Sequence, residues 1–89
     1  MNDFPEWAVY AQKYIVFPDG SIYNRKNRHR LAERYNRPGG YLQCEIGGKN
    51  IYVHRIVAEL FVDNPEGKTR VRHINGVKND NSADNLEWY

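Results

Sequence analysis

Cysteine is almost missing from this chain: Cys44 stands alone among 89 residues. A single thiol excludes an internal disulfide framework and a cysteine-built zinc cage. Long apolar runs are missing as well, so no stretch reaches the roughly 20 residues a membrane-spanning helix needs. The opening residues, Met1-Asn2-Asp3-Phe4-Pro5-Glu6, lack the basic-then-apolar pattern of a secretory signal. The expected compartment is therefore the cytoplasm of a cell, or of an infected cell, with no membrane partner. The chain also lacks an internal repeat and a low-complexity linker, and a single domain over residues 1–89 is expected. Excess charge is small, with a net +2, so the total says little about partners.

Its distribution says more. Charged residues make up 27% and hydrophobic residues 40%, which is ordinary for a globular chain and too apolar for disorder. Arg25, Lys26, Arg28, Arg30, Arg34 and Arg37 fall within one short stretch, opposed only by Glu33. Such a cluster is the footprint of a phosphate-backbone binder, although a solvated basic loop has the same composition. His29 belongs to this loop, and Lys78 is a further phosphate candidate.

Turn signals divide the rest of the chain. Tyr14-Ile15-Val16-Phe17 and Ser21-Ile22-Tyr23-Asn24 read as a hairpin about Pro18-Asp19-Gly20. Tyr41 to Ile46 alternates and turns through Gly47-Gly48-Lys49-Asn50 into Ile51-Tyr52-Val53. Val53, Ile56, Val57, Leu60 and Phe61 are spaced as one apolar stripe of a helix, which Asp63 to Gly67 stops. Val71 to Ile74 and Leu86-Glu87-Trp88 read as paired short strands about a polar loop. The expected fold class is α+β, with small antiparallel hairpins around one central helix. Residues 1–52 would form a hairpin and basic part, and 53–89 the part with the chemistry.

That chemistry is suggested by a histidine followed by a tight turn and a run of asparagines. Phosphodiester hydrolysis needs an activated water, charge stabilisation on the phosphate and help for the leaving oxygen. Histidine ordinarily titrates close to neutrality and can take the water's proton if one tautomer is held. His73 is placed for that role, and Asn85 could return beside it on the second strand. Asn75-Gly76 favours a tight turn, and Asn79, Asp80 and Asn81 can bond their own loop.

In order, His54-Arg55-Ile56-Val57-Ala58, Asn64-Pro65-Glu66, His73-Ile74-Asn75-Gly76, Asn81 and Asn85-Leu86-Glu87-Trp88 resemble the HNH endonucleases of phages and group I introns, the ββα-metal class. Glu6-Trp7 and Tyr14 to Tyr23 are similar to the small module that often precedes such domains. The resemblance covers nearly the whole chain. It implies a DNA endonuclease, homing or nicking, with His73 as general base and Asn85 steadying the loop and the base. It assigns Asn75, Gly76 and Asn81 to loop structure, and His54 to packing or hydrogen bonding. It also implies a divalent cofactor, magnesium or manganese.

Two departures accompany it. Arg72 stands where many relatives place an acidic or amide metal ligand, and a guanidinium cannot ligate a cation. Arg72 is therefore counted with the nucleic-acid contacts. The family's closing ligand sits on a helix after the Leu-Glu-Trp strand, and that helix is expected to be missing here. The identity of any metal ligand stays open. So does the oligomeric state, since a second copy could complete the site. The alternative function is a catalytically inactive module that binds nucleic acid or a host or phage protein.

Overall fold

A computed structural model describes residues 4–36 and 39–89. Eight short strands and one helix run in the order β1 (Ala8–Tyr10), β2 (Tyr14–Val16), β3 (Ile22–Asn24), β4 (Arg34–Tyr35), β5 (Leu42–Ile46), β6 (Lys49–Tyr52), α1 (Val53–Phe61), β7 (Val71–His73) and β8 (Leu86–Trp88). They form an antiparallel β1-β2-β3 sheet, an antiparallel β4-β5-β6 sheet and a β7-β8 hairpin, so the fold is α+β as expected.

The helix collects the core. Val53, Ile56, Val57, Ala58 and Phe61 are buried against Val16 and Ile22 of the first sheet, Cys44 and Ile46 of the second, and Leu86 of β8. Its apolar stripe is thus the surface on which all three β units close. Cys44 is a buried packing residue whose thiol burial pushes up to about 11. No described helix is long and apolar enough to cross a membrane.

β1 and β4 were not expected from the sequence, for different reasons. β1 returns into β2 through Ala11 and Gln12, both at positive φ (52° and 63°). Turns of that shape ordinarily use asparagine or glycine, so this one leaves no compositional mark. β4 is a two-residue, exposed edge strand paired with Leu42 and Gln43. It draws Arg34 out of the presumed basic loop and into a sheet.

The β2–β3 turn makes the contact that joins the first sheet to the C-terminal hairpin. Gly20 has φ +95°, and a Cβ placed on it would stand 2.9 Å from the backbone oxygen of Asn81. The Ala83 N–H donates to the Pro18 carbonyl at 2.7 Å. The first sheet therefore butts against the polar loop joining β7 to β8.

Candidate active site

His73 closes β7 opposite Leu86 of β8, half-buried. Its Nε2 lies 2.7 Å from Asn81 Oδ1. A carbonyl oxygen can only accept, so Nε2 carries the proton and Nδ1 keeps its lone pair. No described residue bonds Nδ1. The ring is thus held in the tautomer that leaves one nitrogen open to take a proton. Asn81 is itself only 5% exposed, with Gly20 packed against its backbone.

The amide on the imidazole is Asn81, where the sequence pointed to Asn85. The strand register explains the exchange. Leu86 faces His73, and Asn85 ends the short 3-10 turn Ala83–Asn85 just before β8, from which its side chain turns into the loop. There it braces the loop. Its Nδ2 donates to the Asp80 carbonyl (2.8 Å) and to Asn75 Oδ1 (3.0 Å), while its Oδ1 accepts the Asn75 N–H (3.1 Å). Asn75 also bonds the Asp80 carboxylate (2.9 Å) and the Val77 N–H (2.9 Å). Gly76 takes φ +76° to close this turn, its N–H on the His73 carbonyl at 3.0 Å. Hydrogen bonds from Asn75 and Ser82 hold the Asp80 carboxyl below the usual carboxylate range. A short polar loop is in this way locked by its own side chains.

Around His73 stands an aromatic cluster whose role spacing alone does not reveal. Tyr41 stacks on its ring (centroids 5.7 Å, planes 24° apart), and His54 meets it at 5.0 Å and 61°. Tyr41 and Tyr52 each lie 5.1 Å from His54. The hydroxyl of Tyr52 accepts from the Asn36 amide. His54 is 8% exposed, and its Nδ1 is buried without a partner among the described residues. Burial first, then the neighbouring His73 and Arg55, push the His54 imidazole down to about 4, so it is neutral at ordinary pH.

The predicted phosphate contacts do not gather in one place. Lys78 lies over the Tyr41 ring (5.0 Å), the ring that also stacks on His73, and bonds the Gly39 carbonyl (2.6 Å). Asn79 reaches the Tyr35 hydroxyl at 3.4 Å, which ties the Tyr35 face of β4 to the same loop, while Arg34 precedes Tyr35 on the strand and alternates to the other face. Arg25 and Arg28 instead flank hollows on the outer face of the first sheet, with Trp7, Ile15, Phe17 and Tyr23. Lys26 lies in the turn after β3, and Arg30 bridges to Tyr23. Arg25, Lys26, Arg28, Arg30 and Arg34 are all exposed, and none makes an ion pair among the described residues. Arg37 lies outside those residues.

Arg72 is engaged elsewhere. Strand alternation turns it away from the His73 side, where it forks onto Glu87 (3.1 and 3.3 Å) and covers the Tyr89 ring. Among the described residues, no group of three or more His, Cys, Asp or Glu side chains could hold a metal ion. The donors around His73 are amides, phenols and a second imidazole with one nitrogen sealed in. This set does not fit a divalent ion held by protein ligands alone.

Comparison with known proteins agrees with this geometry. Residues 51–89 match the HNH endonuclease family. An uncharacterized HNH endonuclease of Acanthamoeba polyphaga mimivirus is 43% identical over 84 residues, covering 86% of this chain and 21% of its own length. A second one from the same virus is 33% identical over 79 residues, covering 84% and 24%. The solved structure of the HNH homing endonuclease I-HmuI, described for DNA binding and cleavage, matches with a TM-score of 0.78 at 31% identity, over 96% of this chain and 52% of that one. The chain spans about a fifth to a quarter of the viral relatives' length and about half of the solved protein's. With the family match on the histidine–asparagine segment and the structural match over almost the whole chain, this chain belongs to the HNH endonuclease family.

Proposed function

We propose that this chain binds DNA and cuts or nicks it, with His73 as the general base. The observation that carries this reading is the His73–Asn81 bond, which fixes the proton on Nε2 and leaves Nδ1 open. The open nitrogen takes a proton from a water as that water attacks the phosphorus, the P–O bond to the leaving sugar oxygen breaks and that oxygen takes a proton from solvent, and the imidazolium forms beside a neutral His54 rather than a second cation. Asn81 positions the base. Asn75, Gly76 and Asn85 hold the loop that presents Asn81. Lys78 contacts phosphates near the cut, and Arg25, Lys26, Arg28, Arg30, Arg34 and Arg37 contact phosphates further along the duplex. HNH nucleases typically use a divalent metal, and magnesium or manganese belongs in the assay. No step is assigned to an ion, because the described side chains do not form its site. The mimiviral relatives support an infected cell as the setting.

Supercoiled plasmid incubated with the chain and either metal tests this. Nicking is expected, falling by at least about a hundredfold in His73→Ala, the range typical of a lost general base. Equal rates for the two proteins would remove the reading.

A second reading is favoured by one observation. Arg72 is locked to Glu87 where a metal-binding side chain would stand, which suits a module that binds nucleic acid without cutting it. It predicts salt-sensitive binding that His73→Ala leaves intact, with no cutting by either protein. Binding insensitive to salt would point instead to a protein partner.

A further inference from the structure

The second imidazole has no part in the chemistry above, and its placement suggests one. His54 lies at the start of α1, immediately after β6, and its ring meets His73 edge to face at 5.0 Å. It is buried, and its Nδ1 finds no hydrogen-bond partner among the described residues. A hydrocarbon ring would fill this space without leaving a polar atom unpaired, so packing alone is a poor account of a histidine here.

The single bond from Nε2 to Asn81 leaves the His73 ring free to rock about the bond axis. Two further contacts remove that freedom. Tyr41 covers a face of the ring and His54 closes an edge. The two contacts come from different elements, the β5 side of the second sheet and the helix, so both parts of the fold grip the same imidazole. We propose that His54 is a positioning residue for His73, an uncharged ring wedged against it that keeps the Nε2–H tautomer on Asn81 and Nδ1 aimed outward.

The charges around His73 are compatible with such a wedge. Lys78 lies across Tyr41, Asp80 sits in the loop behind Asn81, Arg72 projects from the other side of β7 onto Glu87, and Arg55 stands next to His54 on the helix. Burial keeps His54 from adding another positive charge to this group. It can therefore touch the base closely without opposing the base's own protonation.

The proposal takes its meaning from the general-base reading, but its test does not depend on cleavage. Long-range proton–nitrogen NMR on the labelled chain at pH 7.5 reads the tautomer of each imidazole. The wild type should show His73 as a single Nε2–H species and His54 as neutral. His54→Ala should move the His73 nitrogen shifts towards the average of two tautomers, and His54→Phe, which restores a flat neutral edge, should return them. If alanine leaves the chain unfolded, His54→Leu keeps the volume without the flat edge and is judged in the same way. Where nicking is measurable, the averaged variant should be slower by about tenfold to a hundredfold with KM little changed, as expected of a mispositioned group. A His73 tautomer that stays single without the His54 ring would overturn the proposal. A wild type that never cuts but shows the predicted shifts would sink the general-base reading and leave this one standing.

Discussion

The two ends of this molecule hold their functional side chains in opposite ways. In the β7–β8 hairpin, His73, Asn75, Asp80, Asn81 and Asn85 are tied by side-chain hydrogen bonds within a loop of about a dozen residues. In the basic stretch, Arg25, Lys26, Arg28, Arg30 and Arg34 are exposed and lack ion-pair partners among the described residues. The contrast matches what each chemistry requires. A base must be held to within a fraction of an ångström of its working position, whereas a phosphate contact tolerates a mobile cation and is repaid in counterion release. The two ends meet where Gly20 and Pro18 press on the loop at Asn81 and Ala83.

If the arm only steers and grips, its removal should weaken binding without altering the chemistry. Replacing Arg25, Lys26, Arg28 and Arg30 with alanine is expected to lower DNA affinity and reduce the slope of log affinity against log salt by up to about 3 to 4. The rate of nicking at saturating DNA should hold. Filter binding across a salt series measures the slope, and an unchanged slope would remove the arm from the interface.

The hairpin end should instead respond to acid. His54 is lowered to about 4 in the folded chain, against an ordinary value near 6.5. The unfolded chain therefore binds the extra proton first. The stability that burial of this ring provides is fully present above about pH 6.5 and is lost as pH falls towards about 4, by at most about 3 kcal/mol. Urea denaturation at pH 7 and pH 4.5 measures the loss, and His54→Phe should make that difference smaller. An equal difference in both proteins would mean that His54 is not the group responsible.

Gly20→Ala probes the junction between the two ends. The new methyl meets the Asn81 backbone at a φ that side chains rarely adopt. A loss of about 1 to 3 kcal/mol is expected in thermal or urea unfolding, together with slower nicking because Asn81 moves. The smallest effect is expected at Arg72→Ala. Its pair with Glu87 is exposed, so its loss should cost roughly 0.2 to 1 kcal/mol. Nicking should change little, because the side chain points away from His73. A large catalytic loss there would put Arg72 on the phosphate after all.

Much of this was legible in the sequence where one local rule decided the outcome. The 3.6-residue stripe from Val53 to Phe61 marked the helix, and Pro18-Asp19-Gly20 and Gly47-Gly48 marked two of the hairpins. His73, with its turn and its asparagines, was legible as a set. Which asparagine bonds the imidazole was not, because it depends on a register in which Leu86 rather than Asn85 faces His73. The aromatic cluster was hidden for a related reason. Tyr41, Tyr52 and His54 come from the second sheet and the start of the helix, and only tertiary packing gathers them on one ring. The available signal was His54 itself, a polar residue set next to Val53 on the buried side of an amphipathic helix.

The most direct test of the central claim measures binding and nicking on the same samples of wild type and His73→Ala, with saturating plasmid and added magnesium or manganese. The account predicts matched affinities and a nicking rate lower in the variant by at least about a hundredfold. Matched affinities with matched nicking rates would contradict it.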